Sequence, residues 1–348
     1  MQHMLHSLLA GQPIQGNDCI SVTNPYDQTL IGKVTVAQAD HTHQAIETAL
    51  EQKETLTRYQ RFEILDQSRR ELLNRKEEFA QLITSEAGLC MRETLYEVGR
   101  ACDVLQFSAM ESLKDDGQVF SCDVSPQGKA RKIFTLREPL RVAVAITPFN
   151  HPLNQVAHKL GPAIAAGTPI ILKPSEKTPL TAIKFAELLY KNGLPGPMLS
   201  VLLGPTQEVA ERLVQDERVE MVSFTGSVSV GKHIARSAGY KKLVLELGGN
   251  DPLIVLEDAD LDQAVHLACE GAFRNSGQRC TAVKRIMVQR SILEKFTQAM
   301  VERAKSYTAG DPSSMETRIG TVIDEASAIH LEETIKKAVS DGARVLLG

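Results

Sequence analysis

The chain has 348 residues, and its 39 lysines and arginines against 43 aspartates and glutamates leave a formal net charge of −4. That balance excludes a strong electrostatic case for nucleic acid or an anionic membrane as partner. With 43% hydrophobic and 24% charged residues, the composition is globular and excludes a disordered or fibrous chain. We expect a soluble, cytoplasmic protein, because no apolar run approaches the roughly 20 residues that cross a bilayer.

Two segments before residue 141 differ in pattern. Residues 38–113 are charge-rich with apolar side chains at helical spacing, which predicts a helical layer. Residues 117–140 are polar, with short alternating segments on either side of Ser125-Pro126-Gln127-Gly128. This pattern predicts a β-hairpin that leaves the body of the domain.

From residue 141 onward, strand-like and helix-like segments alternate. Predicted strands cover 141–146, 169–172, 199–203, 220–224 and 243–247, and predicted helices cover 152–166, 179–192, 207–215 and 228–237. Such alternation indicates right-handed crossovers and a parallel sheet covered on both faces, with ligands beyond the carboxyl ends of the strands.

The alternation starts again at Asn250 and predicts a second α/β domain. Its expected helices are 260–274, 291–306 and 325–340, and its expected strands are 285–289 and 343–347. We therefore divide the α/β chain into a dinucleotide-binding domain (1–116 and 141–248), a hairpin (117–140) and a second, catalytic domain (249–348) that we expect to be incomplete.

A glycine turn joins the predicted strand 220–224 to the following helix. Gly226 and Gly231 have the spacing of a phosphate-binding P-loop and Lys232 follows, but His233 stands where that motif needs Ser or Thr. An NTPase is therefore disfavoured, whereas phosphate binding by the backbone at the helix start and an ordinary tight turn both remain open.

Three further side chains sit where chemistry is expected. Glu246 ends a strand beside a Gly-Gly turn, and an apolar setting there would raise its pKa and suit it as a general base. Cys280 follows a polar loop, where amides at a helix start would favour a thiolate, although a buried inert cysteine is an equal alternative. Asn150 follows another strand, where it would donate to an oxyanion or cap a helix.

Lys173 and Glu176 follow the strand 169–172, where the ribose of a nucleotide would lie, although a solvated charged loop has the same appearance. The six cysteines include no Cys-x-x-Cys pair, so we predict neither a disulfide framework nor a metal site. All the candidate residues lie at or beyond strand ends, or on loops that could face them. One shared cleft explains their order better than separate coincidences.

These motifs together resemble the aldehyde dehydrogenase superfamily over essentially the whole chain. The resemblance is carried by Pro148-Phe149-Asn150, Lys173-Pro174-Ser175-Glu176, Phe224-Thr225-Gly226-Ser227, Glu246-Leu247-Gly248-Gly249 and Gly277-Gln278-Arg279-Cys280. It implies that Cys280 attacks the aldehyde, that Asn150 and the Cys280 amide hold the oxyanion, and that Glu246 activates the water that hydrolyses the thioester. Phe149 stands where the family often has Trp.

The same resemblance implies NAD rather than NADP as cofactor, because Glu176 would repel a 2′-phosphate. The implied cofactor-binding residues are Ile146, Thr147, Pro148, Phe149, Lys173, Ser175, Glu176, Phe224, Thr225, Gly226, Ser227, Val230, Gly231 and Leu247. Three potential cations, Arg100, His151 and Arg279, suggest an anionic aldehyde, with Thr281 as a fourth substrate contact. The segment 149–159 looks most like phosphonoacetaldehyde dehydrogenases, so phosphonoacetaldehyde is the leading substrate, with lactaldehyde or a semialdehyde as alternatives.

The resemblance also implies further sequence beyond residue 348 and assembly through the hairpin into a homodimer or homotetramer. A non-catalytic remnant that still binds nucleotide is therefore a rival interpretation, and a coenzyme-A-acylating dehydrogenase is a lesser one.

Overall fold

The computed structural model describes residues 3–52, 55–114 and 116–348. The strands are β1 (His3–Leu5), β2 (Leu8–Leu9), β3 (Gln12–Pro13), β4 (Cys19–Thr23), β5 (Leu30–Thr35), β6 (Val119–Phe120), β7 (Ile133–Phe134), β8 (Ala143–Ile146), β9 (Ile170–Lys173), β10 (Leu199–Val201), β11 (Met221–Thr225), β12 (Lys242–Glu246), β13 (Asp251–Val255) and β14 (Val283–Val288). The helices are α1 (Ala39–Leu50), α2 (Arg58–Asn74), α3 (Lys76–Ala87), α4 (Met91–Ser112), α5 (Asn154–Ala166), α6 (Pro179–Lys191), α7 (Ala210–Gln215), α8 (Val228–Ser237), α9 (Leu261–Phe273), α10 (Leu293–Ala304) and α11 (Glu325–Ser340).

A seven-stranded sheet, counted over the described residues, organises the larger part of the molecule. Its order is β12-β11-β8-β9-β10-β2-β3, and the strands from β12 to β10 pair in parallel. The chain runs from β8 through β9 to β10 and then returns to β11 on the other side of β8. The order therefore reverses between β8 and β11, and ligands of parallel sheets bind at such a switch point, outside the carboxyl ends of the strands.

Both faces of this sheet are covered. Ala143 and Ala145 of β8 belong to the buried cluster that includes α2 to α6, whereas Val144 belongs to a second cluster that includes α1, α7 and α8. Neighbouring residues of a strand point to opposite faces, so a strand buried on both sides has a continuous apolar sequence. The predicted parallel sheet with helices on both faces is confirmed.

The chain also forms smaller sheets. Strands β1, β5 and β4 make a three-stranded sheet, and β13 pairs in parallel with β14 over a small core that includes Val255, Val265 and Phe296. The predicted hairpin forms, since β6 and β7 pair antiparallel with Val119 opposite Phe134. Within the described ranges, no helix combines the length and apolarity that crossing a lipid bilayer requires.

One predicted strand is wrong. Residues 343–347 are irregular, with one bend at Leu346, rather than a strand, and Val345, Leu346 and Leu347 line an apolar groove beside Phe296 and Ile335. Apolar residues in sequence predict a strand only where a neighbouring strand offers hydrogen bonds. The other predicted elements from residue 141 onward form, with shifts of their ends by up to three residues.

Candidate functional site

The predicted cofactor residues collect at the carboxyl edge of the large sheet. Ile146 ends β8, and Thr147, Pro148 and Phe149 follow it, while Phe224 and Thr225 end the neighbouring β11. Glu246 is the last residue of β12, next to β11 on its other side, and Leu247 follows it. The residues predicted to bind cofactor therefore lie at and beside the switch point.

The turn after β11 is shaped to present backbone amides. Ser227 caps α8 by accepting a hydrogen bond from the Val230 amide at 3.3 Å, and the first residues of the helix are exposed. A side-chain carbon at Gly231 would meet Leu247 Cδ2, so a larger residue there would require the Leu247 side chain to move. An exposed helix start of this kind fits a phosphate group, which is the part of a dinucleotide that this edge would hold.

Lys173 and Glu176 form an ion pair after β9. Lys173 Nζ lies 3.0 Å from Glu176 Oε1, and the lysine is buried while the carboxylate is partly exposed. The Ser175 hydroxyl accepts a hydrogen bond from the Lys177 amide. The loop therefore offers a partly exposed carboxylate that could accept hydrogen bonds from ribose hydroxyls.

The segment 275–281, here called the cysteine turn because it carries Cys280, begins with three residues whose backbone lies in the left-handed region. Asn275, Ser276 and Gly277 have φ of 57°, 54° and 70°, and non-glycine residues adopt this conformation at a cost in free energy. The Asn275 side chain, which is buried, donates to the Asn150 carbonyl oxygen at 3.0 Å. The Asn150 amide in turn donates to the Gln278 carbonyl oxygen at 2.8 Å. These two bonds join the cysteine turn to the end of β8.

The glycine turn that follows Glu246, between β12 and β13, lies against the backbone of Cys280. The Gly226 amide donates to the Glu246 carbonyl oxygen at 3.0 Å. A side-chain carbon at Gly249 would lie 2.9 Å from the Cys280 carbonyl oxygen and 2.5 Å from Asp251 Oδ2. The site thus combines an exposed thiol, a carboxylate and a carboxamide.

Two details of the sequence analysis are wrong. Cys280 does not stand at the start of a helix, because a turn and then β14 follow it, so no helix dipole acts on the thiol. Glu246 does not occupy an apolar setting, because its side chain is exposed at the outer strand of the sheet. Both errors arise because the local sequence does not indicate what the next segment of chain covers.

Of the predicted substrate contacts, two already have protein partners. His151 Nδ1 lies 3.2 Å from Glu97 Oε2, and the Arg279 guanidinium donates to the Gly271 carbonyl oxygen at 2.9 Å. Burial lowers the pKa of Arg279. Thr281 is exposed beside Cys280. His151 and Arg279 therefore contribute first to the structure of the site.

Glu97, which the sequence analysis missed, holds the start of α5. Its side chain is almost fully buried, and one carboxylate oxygen accepts from the amides of Leu153 at 2.9 Å and Asn154 at 3.0 Å. A carboxylate at a helix start satisfies amides that have no partner within the helix. Glu97 thus fixes the helix that follows Asn150 and His151.

Arg100 lies three residues after Glu97 on α4, one turn further along the same face. Since Glu97 bonds to the start of α5 and a carbon at Gly161 would touch Ser108, α4 and α5 run in the same direction. Arg100 is therefore level with the second turn of α5, where His158 lies. Within the described parts of the chain, no acceptor is hydrogen-bonded to the exposed Arg100 guanidinium.

The second turn of α5 carries two basic groups that the sequence analysis did not select. Burial, together with the charges of Arg100 and Lys159, lowers the pKa of His158, while Glu246 opposes the shift. Lys159 is buried and donates to Ser223 Oγ at 2.9 Å, and burial lowers its pKa to about 8, again against Glu246. The charge of Glu246 therefore opposes the lowering of the pKa in both residues. In the sequence, the signal for these two residues is their position on the helix that follows Asn150.

Comparisons with known proteins agree with this geometry. Residues 13–348 match the model of the aldehyde dehydrogenase family. The 3-sulfolactaldehyde dehydrogenase of Priestia aryabhattai is 41% identical over 94% of this chain and 69% of its own length, and the lactaldehyde dehydrogenase of Methanococcus aeolicus is 35% identical over 94% and 71%. The solved structure of glyceraldehyde-3-phosphate dehydrogenase GapN from Methanocaldococcus jannaschii, complexed with NADP, superposes with a TM-score of 0.90 at 36% identity, over 96% of this chain and 74% of that one.

Proposed function

The chain belongs to the aldehyde dehydrogenase family, whose members are NAD(P)-dependent oxidoreductases, and we propose that it oxidises a small anionic aldehyde to a carboxylic acid through Cys280. The observation that carries this proposal is the hydrogen bond from Asn150 to the Gln278 carbonyl, which places the carboxamide beside the cysteine turn. The thiolate of Cys280 adds to the carbonyl carbon, and the oxygen becomes an oxyanion. The Asn150 carboxamide and the Cys280 amide would stabilise that charge.

Collapse of this adduct expels a hydride and leaves a thioester on Cys280. A nicotinamide held at the carboxyl edge of the large sheet would supply the hydride acceptor. Glu246 then removes a proton from water, whose oxygen attacks the thioester carbon, and breaking of the carbon–sulfur bond releases the acid. The electrostatic effect of Glu246 on both His158 and Lys159 supports its place over the same cleft.

We propose NAD rather than NADP as the preferred cofactor. The partly exposed Glu176 carboxylate, fixed by Lys173, would accept hydrogen bonds from both adenosine ribose hydroxyls and would repel a phosphate at the 2′ position. The GapN relative is complexed with NADP, so the family fold itself does not exclude NADP. The choice rests on Glu176.

We propose that the substrate is anionic because the exposed Arg100 guanidinium has no hydrogen-bonded acceptor among the described residues, and because His158, whose pKa burial and the Arg100 charge lower, offers an imidazole donor near it. Phosphonoacetaldehyde fits such a pair, and so does the sulfonate-bearing substrate named for the Priestia relative. Lactaldehyde, named for the Methanococcus relative, has no charge and is the second candidate. An uncharged substrate would leave the Arg100 guanidinium without a counter-ion.

Absorbance of NADH, followed with phosphonoacetaldehyde, 3-sulfolactaldehyde, lactaldehyde and succinic semialdehyde, tests the proposal. We expect turnover with NAD, highest for an anionic aldehyde and independent of coenzyme A. Cys280→Ala should abolish it, and Glu246→Gln should retain a first burst of NADH but stall afterwards. Turnover by Cys280→Ala would refute the mechanism, and cofactor binding without NADH formation by the folded protein would favour the non-catalytic interpretation.

A further inference from the structure

Lys284, the second residue of β14, directs its ammonium back onto the turn that carries Cys280. Nζ lies 3.1 Å from the carbonyl oxygen of Arg279, 2.8 Å from that of Cys280 and 3.1 Å from that of Ala282. An ammonium group has three N–H donors, so one lysine satisfies three backbone carbonyls of this turn. The Asp251 carboxylate, 3.7 Å from Nζ, balances the charge.

These contacts determine which way the amides of the turn point. A trans peptide unit is planar, and its C=O and N–H point in opposite directions. The carbonyl of Arg279 shares its peptide unit with the amide of Cys280. Because that carbonyl points at Lys284, the Cys280 N–H must point away from Lys284.

On the proposed function, the Cys280 N–H is one of the two donors to the oxyanion. We infer that Lys284 is a positioning residue that orients this amide by binding the carbonyl of the same peptide unit. The lysine does not touch the substrate. Its contribution is to hold a donor in place before the charge develops, which is the source of most oxyanion stabilisation.

The Lys284→Met variant keeps the aliphatic stem and removes the three donors. We expect the NADH burst rate and kcat to fall by about 100-fold, the size of effect seen when one oxyanion donor is lost, with KM changed much less. Lys284→Arg keeps a cation with several donors and should retain more activity than Lys284→Met. Lys305→Met is the matched control, because Lys305, just after the end of α10, pairs with Glu302 on the surface and its loss should leave turnover unchanged.

Alkylation of Cys280 by iodoacetamide separates positioning from general damage to the turn. In this reaction the thiolate forms a carbon–sulfur bond as iodide leaves, and no oxyanion develops. We expect Lys284→Met to be alkylated at Cys280 at the wild-type rate, followed by mass spectrometry of the Cys280 peptide, while its turnover is lost. If Lys284→Met does not fold, the same comparison is made with Lys284→Gln, which keeps a polar side chain but is too short to reach the three carbonyls together and carries no charge.

Wild-type turnover by Lys284→Met would overturn the inference, and so would an equal fall in turnover and alkylation, which would mean that the lysine only maintains the turn. Absence of turnover in the wild-type chain, or turnover by Cys280→Ala, would instead refute the proposed function. The two failures are therefore distinguishable.

Discussion

Glu97 links the stability of α5 to the chemistry of the site, and its removal should affect both. In Glu97→Ala, the amides of Leu153 and Asn154 lose a buried carboxylate that accepts at 2.9 and 3.0 Å. Hydrogen bonds to a charged group contribute about 1.5–3 kcal/mol each, so the free energy of unfolding should fall by about 3–6 kcal/mol. That is a large share of the roughly 5–15 kcal/mol that stabilises a typical domain.

The same substitution should lower kcat, because Asn150 lies immediately before the released helix start. A shift of about 1 Å in a positioning group can cost about 100-fold in rate. Glu86→Ala is the matched control, since Glu86 is equally buried but accepts from the amides of Leu180 and Thr181 at the start of α6, which follows the Lys173–Glu176 loop and not Asn150. Its loss should therefore leave kcat at saturating NAD unchanged. Urea unfolding and NADH formation are measured for both variants.

We expect both variants to be destabilised and only Glu97→Ala to lose activity beyond its folded fraction. A Glu97→Ala protein with wild-type kcat would refute the argument that this carboxylate positions Asn150. Equal losses of kcat in the two variants would refute it as well, because they would reflect stability alone.

Three further outcomes are expected. Burial raises the pKa of Glu86 from 4.5 to about 7, so the folded state binds the proton more tightly than the unfolded state does. The free energy of unfolding should therefore fall by about 3 kcal/mol between pH 4.5 and 7. Urea unfolding at a series of pH values should show a weaker dependence of this free energy on pH in Glu86→Gln than in the wild type. Glu176→Ala should raise kcat/KM with NADP relative to NAD by at least tenfold, and an unchanged ratio would remove Glu176 from cofactor selection. Gly88→Ala should lower the free energy of unfolding by about 1–3 kcal/mol, because Gly88 has φ of 69° and a side-chain carbon would lie 1.9 Å from Thr321 Oγ1. The urea midpoint should fall accordingly, and an unchanged midpoint would show that the loop carrying Thr321 moves aside without cost.

Most of the fold could be predicted from the sequence because the period of apolar residues records burial directly. Helix α8 and helix α11 have the predicted bounds, and the continuous apolar run of β8 indicated a strand covered on both faces. The short strands β2 and β3 join the far edge of the large sheet and could not be foreseen, because two residues show no periodicity. The run 343–347 failed for the opposite reason, since its pattern was clear but no strand edge pairs with it.

The candidate site could be predicted only where function is concentrated in one short motif. Asn150, Glu246 and Cys280 each stand in such a motif, and the structure places all three around one turn. Glu97 and Lys284 have no motif, because their contribution is a set of hydrogen bonds to backbone atoms whose positions the sequence does not specify. Residues that position a site are thus harder to identify than residues that react.

The basic groups near the site show why adjacency in sequence is a poor guide to substrate contacts. Arg279 is next to the thiol in sequence, yet its guanidinium turns inward to the Gly271 carbonyl, and His151 is next to Asn150 but is held by Glu97. His158 lies in the second turn of α5, seven residues after His151, and the Arg100 guanidinium near it has no hydrogen-bonded acceptor among the described residues. A cation that already has a buried partner loses part of that bond when it binds an anion, whereas an unpaired cation gains one. Discrimination between charged and uncharged aldehydes should therefore depend on Arg100 and His158 more than on the two cations that flank the reacting groups.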